Sequence, residues 1–438
     1  MKKIFVISID ALIREDVPYL ETKPNFSRIM SSRAEVTHVR TVYPALTYPA
    51  HCSIMTGCLP GKHGVIHNSG LKMVDDGFTH FYFHSKTVKA EDLFAQAKRA
   101  GLSTAAVFWP ITAFNPNIDH NINEYFCFYP GELAHAEETF ARQGADEAAL
   151  RAVRENLGRL PSTRGSGRID KASLMDDFIN GCTCSLIRNE KPDFMMIHNC
   201  TMDSSRHRYG AMSERNREAL DLMDEWLGEI ADAMEEAGVF SETDFVIVSD
   251  HGQMDFSQYV HLNTLMAEGG FVDLAPDGTV YDWQAWGKAN GFSAAIHLAD
   301  PEDEALRGKV FAYLQKLMAD GRYGIEKIYI HDEVKERYGL SGPFAFMIES
   351  DGRSTFTDKW TEPAIQKVLP TDKKFATHGY EPEKGPQPVF MGSGPSFREG
   401  AVIDSADVID IAPTLSRIMG QKMAGADGKC LDVLLRAD

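Results

Sequence analysis

The stretch KIFVISID, residues 3–10, is the clearest indication of fold class in this chain. Its nearly continuous run of apolar and β-branched residues predicts a strand that is buried on both faces of a parallel sheet. Asp10 then stands at the carboxyl end of the strand, the edge where open α/β sheets bind their ligands. The sequence therefore predicts a functional carboxylate at the sheet edge, although an aspartate there can also cap a turn.

Strand and helix patterns alternate along the rest of the chain. Further strands are predicted at 104–108, 193–198, 245–249 and 388–391. Helices are predicted at 24–30, 50–56, 90–100, 171–188, 213–237 and 406–419. This alternation predicts an α/β fold with a mostly parallel central sheet and helices on both of its faces.

One block in the second half of the chain has a different pattern. Within residues 255–375, strands are predicted at 292–298, 325–330 and 344–349, and a helix at 302–319. Together they predict a small inserted α+β cap subdomain. The expected organisation is a catalytic core formed by residues 1–254 and 376–438, with the cap at 255–375 between its two parts.

Charge and cysteine usage exclude several classes of partner. The net charge, 45 − 63 = −18, argues against a nucleic-acid polymer, which needs a basic surface. Seven cysteines without a regular framework favour a reducing compartment. Asp10 interrupts the N-terminal apolar run, and no run is long enough for a membrane span. We therefore expect a cytoplasmic protein that does not bind membranes, with its oligomeric state left open.

Five segments, far apart in the chain, contain residue types that bind metal ions or act as nucleophiles. They are VISIDA (6–11), YPALTYPAHCSIMTG (43–57), CTMDSSRH (200–207), VIVSDHG (246–252) and THGY (377–380). The side chains of interest are three aspartates, three histidines and one threonine, namely Asp10, Asp203, Asp250, His207, His251, His378 and Thr47. This mixed set of nitrogen and oxygen donors suits zinc but also accepts manganese or iron.

The spacing within these segments supports a shared site. Asp203 and His207 are four residues apart, so a helix would direct both towards one ion. Asp250 and His251 follow a buried strand, where such a pair is costly without a partner or a metal. Thr47 precedes a predicted helix, whose N-terminus attracts anions, and it is the candidate nucleophile. Taken singly, these segments also fit structural roles such as a helix cap or a surface ion pair.

The order and spacing of the segments resemble the alkaline phosphatase superfamily, and most closely its nucleotide pyrophosphatase/phosphodiesterase branch. The resemblance covers residues 3–252 and again 377 to about 431, with GKHGV (61–65) and GSGPSF (392–397) as further signatures. It implies an alkaline-phosphatase-like three-layer sandwich, and a hydrolase that binds two divalent metal ions, with zinc as the first expectation.

The resemblance also assigns roles to particular residues. One metal ion is expected on Asp203, His207 and His378. The second is expected on Asp10, Thr47, Asp250 and His251. Asn68, in GVIHNSG, matches an asparagine that holds the phosphoryl oxygen, and Tyr48 matches an aromatic residue that contacts the substrate. Trp109 and Phe114 are further candidates for the wall of the substrate pocket.

The register of the nucleophile motif argues against the related sulfatases. They have a cysteine ten residues before the glycine of the TG pair, and an arginine four residues after that cysteine. Counting back from Gly57 gives Thr47, and His51 occupies the arginine position. The nearby Cys52 is out of register, so the sulfatase set is missing.

Charge balance favours a phosphodiester as the substrate. Three aspartates and a threonine alkoxide contribute −4, two divalent ions contribute +4, and metal-binding histidines are neutral. Such a site tolerates a singly charged phosphodiester. The resemblance implies that the substrate is a small, nucleotide-like anion with a phosphodiester or pyrophosphate bond. The expected reaction passes through a phosphoryl-threonine intermediate on Thr47.

Other reactions on the same scaffold remain as alternatives. They are phosphonoacetate-type hydrolysis, for which Lys62 and Lys72 are the candidate lysines, phosphomonoester hydrolysis and phosphomutase activity. A non-catalytic metal-binding protein is the remaining alternative. The intact Thr47 argues against it, because metal binding alone does not require a nucleophile.

Overall fold

The structure is a computed structural model that describes residues 3–73, 80–125, 135–161 and 174–437. An eight-stranded sheet forms its centre. The strands are β1 (Lys3–Ile9), β2 (Ala34–Arg40), β3 (Thr104–Val107), β4 (His120–Ile122), β5 (Phe194–Asn199), β6 (Thr243–Val248), β7 (Met254–Asp255), β8 (Gln258–His261), β9 (Val272–Leu274), β10 (Val280–Trp283), β11 (Ala285–Ala289), β12 (Ser293–Leu298), β13 (Ile325–Ile330), β14 (Phe346–Ser350), β15 (Ser354–Thr357), β16 (Ile365–Lys367), β17 (Ala376–Thr377), β18 (Phe390–Ser393) and β19 (Val402–Asp407). The α-helices are α1 (Val17–Leu20), α2 (Pro24–Met30), α3 (Thr47–Thr56), α4 (Pro60–His63), α5 (Leu93–Arg99), α6 (Ala136–Arg142), α7 (Glu147–Asn156), α8 (Met175–Asn189), α9 (Thr201–Tyr209), α10 (Asn216–Glu236), α11 (Leu262–Glu268), α12 (Glu304–Asp320), α13 (His331–Tyr338) and α14 (Ile411–Ile418). Short 3-10 turns are found at Arg14–Asp16, Ser85–Thr87, Leu157–Arg159, Phe240–Glu242, Val408–Asp410 and Asp432–Leu434.

The central sheet is mostly parallel, as the sequence predicts. Its strand order is β19-β2-β18-β6-β1-β5-β3-β4, and only β18 runs antiparallel to its neighbours. Strand β1 is central because both of its faces are apolar. Phe5 and Ile7 pack in the cluster with α2, α8 and α10, whereas Ile4 and Val6 pack with α3, α5 and α14 on the other face. Phe5→Ala would cost about 3–5 kcal/mol, since the ring is fully buried.

The inserted block contains the elements predicted for it. Strands β11, β12, β14 and β13 form an antiparallel sheet, against which α12 packs in an apolar cluster separate from the central one. The chain enters this block after β7 and leaves it at β17, and those two strands pair with each other. Tyr43 and Ile66 of the core pack against Tyr329 and Tyr338 of the block. The treatment of 255–375 as a separate cap stays a prediction.

Several element boundaries differ from the predicted ones for local reasons. Helix α3 begins at Thr47 rather than at residue 50, since Leu46 is the extended N-cap residue. Helix α5 begins at Leu93 because Asp92 caps it by accepting a hydrogen bond from the amide of Ala95. The prediction of a helix from residue 406 was wrong, because Ala406 pairs with β2 as part of strand β19. The first residues of the helix predicted at 171–188 lie outside the described residues.

Among the described helices, none is long and apolar enough to cross a lipid bilayer.

Candidate active site

The carboxyl edge of the central sheet brings three predicted aspartates together. Asp10 follows β1 and Asp250 lies two residues beyond β6, the parallel neighbour of β1. Asp203 lies in the first turn of α9, which is separated by one residue from the end of β5, the other parallel neighbour of β1. Parallel strands end at the same edge, so the register of the sheet accounts for this convergence.

Asp203 lies between two of the predicted histidine ligands. Its Oδ2 is 3.3 Å from His207 Nε2, one helical turn along α9, and its Oδ1 is 3.8 Å from His378 Nε2. His207 donates from Nδ1 to the carbonyl of Ala376 at 2.7 Å, and His378 donates from Nδ1 to that of Ala45 at 3.1 Å. These bonds fix both rings so that Nε2 faces Asp203, the arrangement of metal-binding imidazoles. One ligand atom from each residue fits within 4.8 Å of the others.

A second group surrounds the ring of His251. Its Nε2 lies 3.1 Å from Asp250 Oδ2, 3.3 Å from Thr47 Oγ1 and 3.7 Å from Asp10 Oδ1. Asp10, Asp203 and His251 each place a ligand atom within 4.8 Å of the other two. Asp203 therefore lies close to both groups, and the predicted ligands of two ions form one continuous cluster.

The electrostatics of the cluster fit a divalent cation. Asp10 Oδ1 and Asp250 Oδ2 are buried and have no hydrogen-bond partner within the described part of the chain. Burial, together with the charge of Asp203, raises the pKa of Asp10 to about 7, and burial raises the pKa of Asp203 to about 6. Burial also lowers the pKa values of His207, His251 and His378, which keeps them neutral as metal binding requires.

Thr47 is the first residue of α3 and directs its hydroxyl into the cluster. The helix N-terminus lies at the site because Leu46 is extended, and Gly57 ends the helix with a φ of 66°. His51, one turn further on, donates from Nδ1 to the carbonyl of Thr47 at 2.7 Å. Asn68 Oδ1 accepts a hydrogen bond from the amide of Tyr48 at 3.0 Å, which joins the Asn68 loop to the start of the helix.

A cavity of about 640 Å³ opens over this cluster. The core contributes predicted site residues to its wall, namely Asp10, Thr47, Tyr48, Asn68, Asp203, His207 and His378. The inserted block contributes Lys288, Asn290 and Asp358, among others. Asp250 and His251 lie behind the wall and are fully buried. A small molecule in the cavity would contact the nucleophile and the inserted block at the same time.

The predictions for four other residues were wrong. Trp109 is fully buried against the ring of His51, and the half-exposed Phe114 lies beside His84, so neither lines the cavity. Lys62 pairs with Asp427 at 2.7 Å on the surface, and Lys72 is not part of the cavity wall. Lysine side chains do reach the cavity, but they are Lys288 and Lys374.

One polar group on the wall of the cavity was not predicted from the sequence. Glu124, His198 and Cys200 place ligand atoms within 4.8 Å of one another. His198 Nε2 donates to Asp10 Oδ2 at 3.2 Å, so this histidine also orients a predicted metal ligand. His198 lies in β5 near its carboxyl end, and the strand-end argument applied to Asp10 would have found it.

Comparisons with known proteins identify the family to which the chain belongs. The family model described as type I phosphodiesterase / nucleotide pyrophosphatase matches residues 4–381. Ectonucleotide pyrophosphatase/phosphodiesterase family member 1 of Mus musculus is 23% identical over 411 residues, covering 91% of this chain and 38% of the mouse protein. Bis(5'-adenosyl)-triphosphatase of Pongo abelii is 21% identical over 449 residues, covering 98% of this chain and 81% of that protein.

Solved structures of similar fold cover nearly the whole chain. Murine ectonucleotide pyrophosphatase/phosphodiesterase 5 superposes with a TM-score of 0.68 at 17% identity, over 99% of this chain and 100% of the murine chain. The human protein of that name gives the same TM-score at 18% identity. This likeness confirms the predicted α/β fold with its mostly parallel central sheet.

The extent of the family match decides the classification. The chain spans less than half the length of the mouse family member 1, whereas the family model matches most of this chain. The protein therefore belongs to the type I phosphodiesterase / nucleotide pyrophosphatase family.

Proposed function

We propose that this protein is a metal-dependent hydrolase that cleaves phosphodiester or pyrophosphate bonds in small, nucleotide-like molecules. The observation that carries the proposal is the position of Thr47 Oγ1. It lies 3.3 Å from His251 Nε2, beside buried carboxylates, at the N-terminus of a helix and on the wall of the cavity. A hydroxyl in such surroundings is suited to attack a bound phosphorus centre.

Two divalent ions, with zinc as the first expectation, are assigned to the cluster. Asp203, His207 and His378 would hold one, and Asp10, Thr47, Asp250 and His251 the other. The donor set supports zinc, since neutral imidazoles and carboxylates are its usual ligands outside thiolate sites. When bound, the ions supply the positive charge that lowers the pKa of the Thr47 hydroxyl and stabilises the leaving oxygen.

The chain's own residues account for the remaining steps. Thr47 loses its proton to water, its oxygen forms a bond to phosphorus, and the bond from phosphorus to the leaving oxygen breaks, so that this oxygen takes up a proton and departs. Water then attacks phosphorus in the phosphoryl-threonine, the bond from phosphorus to Thr47 Oγ1 breaks, and one proton of the water restores the threonine hydroxyl while the phosphate product leaves. The backbone amide of Thr47, the first residue of α3, and the side chain of Asn68 would hold the phosphoryl oxygens during both steps.

The names of the relatives support a nucleotide-like substrate. They include a bis(5'-adenosyl)-triphosphatase and several proteins named pyrophosphatase/phosphodiesterase. The murine protein 5 has also been solved as an inactive variant in complex with AMP. A cavity of about 640 Å³ has room for a mononucleotide-sized ligand.

A panel of esters tests the proposal. The protein is loaded with zinc and assayed with bis-p-nitrophenyl phosphate, the p-nitrophenyl ester of TMP, p-nitrophenyl phosphate and phosphonoacetate. We expect the two diesters to give the higher kcat/KM. Phosphonoacetate belongs in the panel because Lys288 and Lys374 line the cavity. A preference for the monoester or the phosphonate would refute the diesterase assignment, and no turnover with metal bound would favour a binding protein.

The cytoplasmic location expected from cysteine usage stays a prediction. Cell fractionation with an antibody against the full-length protein would test it. Recovery in the membrane or secreted fraction would contradict it.

A further inference from the structure

Beyond the predicted metal ligands, the wall of the cavity contains a further polar group, formed by His67, Ser69, Lys288 and Asn290. Ser69 lies 6% exposed, His67 6%, Asn290 5% and Lys288 8%, and all four line the cavity that contains Thr47. His67 and Ser69 flank Asn68 in sequence, while Lys288 and Asn290 come from the inserted block. We call this group the hydroxyl pocket.

His67 and Asn290 form a pair that offers a ligand one donor and one acceptor. His67 Nδ1 donates to Asn290 Oδ1 at 2.9 Å. The remaining polar atoms of the pair, His67 Nε2 and Asn290 Nδ2, are buried and have no hydrogen-bond partner in the described part of the chain. His67 is neutral because burial lowers its pKa to about 3, so Nε2 accepts and Nδ2 donates. If the amide is turned by 180°, the two roles exchange and the pair still offers one of each.

The charge of Lys288 does not make this pocket an anion site. Its ammonium donates to Asp358 Oδ2 at 2.9 Å and to Ser69 Oγ at 3.2 Å. The carboxylate of Asp358 balances the charge, and one ammonium proton remains for a ligand oxygen. A phosphate or carboxylate could use the donors, but it would face the bare Nε2 lone pair of His67. A hydroxyl group satisfies both an acceptor and a donor.

The pocket adjoins the segment that carries Asn68. Asn68, between His67 and Ser69, accepts from the amide of Tyr48, the residue after the nucleophile, and all of these residues line one cavity. A hydroxyl group combines a donor and an acceptor on a single oxygen, which is what the His67 and Asn290 pair requires.

We propose that the His67, Asn290 and Lys288 side chains bind neighbouring hydroxyl groups on the alcohol part of the phosphodiester substrate. The substrate class is then a phosphate ester of a polyol or sugar. This inference rests on the proposed function, because the phosphoryl group must lie at Thr47 for the hydroxyls to reach the pocket.

Binding of product analogues tests the pocket without turnover. Zinc-loaded Thr47→Ala protein is titrated calorimetrically with glycerol 1-phosphate, which has two neighbouring hydroxyls, and with methyl phosphate, which has none. We expect glycerol 1-phosphate to bind about tenfold more tightly. Adding His67→Phe or Asn290→Ala should remove this difference and leave the affinity for methyl phosphate within twofold. The solvent-exposed His38→Phe serves as the matched control and should preserve the difference.

Three outcomes would overturn the inference. They are equal affinity for the two phosphates, a preference that survives both pocket substitutions, and a preference for AMP over glycerol 1-phosphate that the substitutions do not affect. Failure of the proposed function is distinguishable, since the wild-type protein would then fail to hydrolyse bis-p-nitrophenyl phosphate, which has no hydroxyl group. Circular dichroism of each variant confirms that the protein is folded.

Discussion

The Oγ1 atom of Thr47 lies 3.3 Å from Nε2 of His251, although 204 positions separate the two residues in the chain. The contact joins the start of α3 to the end of β6, and it places the hydroxyl of the predicted nucleophile beside a predicted metal ligand. Substitutions at and around this contact therefore test different parts of the proposal.

Removal of the hydroxyl should separate metal binding from catalysis. We expect Thr47→Ala to lower kcat by about 10³-fold or more, since no nucleophile remains, while metal content stays close to that of the wild type. Thr47→Ser keeps the hydroxyl and should retain a substantial part of the activity. Elemental analysis and diester hydrolysis measure the two effects. A fully active Thr47→Ala protein would show that the nucleophile is another residue.

Gln253 is expected to control metal affinity without binding metal itself. Its Nε2 donates to Asp203 Oδ1 at 2.5 Å, and this bond orients the carboxylate that lies close to both ligand groups. Gln253→Ala should weaken zinc binding about 10–100-fold in competition with a chelator. Gln366→Ala, a partly buried glutamine of strand β16 outside the cavity, is the control. Unchanged zinc affinity in Gln253→Ala would contradict this role.

The raised pKa of Asp10 gives a pH-dependent prediction for metal-free protein. The pKa of Asp10 in the folded protein is about 7 and exceeds the ordinary value of 3.8, so protonated Asp10 contributes to the stability of the fold. This contribution is lost as the pH rises through 7. Metal-free Asp10→Asn has no carboxyl group to ionise at this position and does not lose stability in this way. Its Tm minus that of metal-free wild type should therefore increase from pH 5 to pH 8.

Zinc should reverse the sign of that difference. The wild-type carboxylate then binds an ion that the asparagine binds poorly, so the wild type becomes the more stable protein. Differential scanning fluorimetry with and without a chelator measures both cases. A Tm difference that is independent of pH in the chelated proteins would show that Asp10 is not buried among other acids.

Arg206 is expected to act as a structural residue rather than to bind substrate. Its side chain is fully buried, donates from Nε to the carbonyl of Ala11 at 2.9 Å and pairs with Asp16 at 2.5 Å. Arg206→Met leaves Asp16 without this partner and should cost about 3–5 kcal/mol of unfolding free energy. The partly exposed Arg208→Met should change stability by less than about 0.5 kcal/mol. Urea denaturation measures both, and equal stabilities would contradict the assignment.

The central sheet and the metal cluster could be predicted because their signals are local. The apolar run of β1 fixes a buried strand, and Asp10 directly follows it. Asp203 and His207 depend on a single turn of α9. In each case the strand end or helical turn that carries the residue also determines where its side chain points.

The remainder of the cavity could not be predicted because it depends on contacts between distant segments. Lys288 lines the cavity only because the inserted block packs against the core. The residues around it in the sequence are the same as those expected around a lysine on a surface strand, so they do not reveal this position. Trp109 was misassigned for a related reason. An aromatic residue after a strand packs either into a cavity or under it, and the ring of His51 holds this one beneath the site.

The most direct test of the central claim is the identification of the phosphorylated residue. Zinc-loaded protein is mixed with bis-p-nitrophenyl phosphate, quenched in acid during turnover and digested for tandem mass spectrometry. We expect a p-nitrophenyl phosphoryl group on the peptide that contains Thr47, located on that threonine. The same adduct on a different residue, or rapid release of p-nitrophenol with Thr47 unmodified throughout, would contradict this expectation.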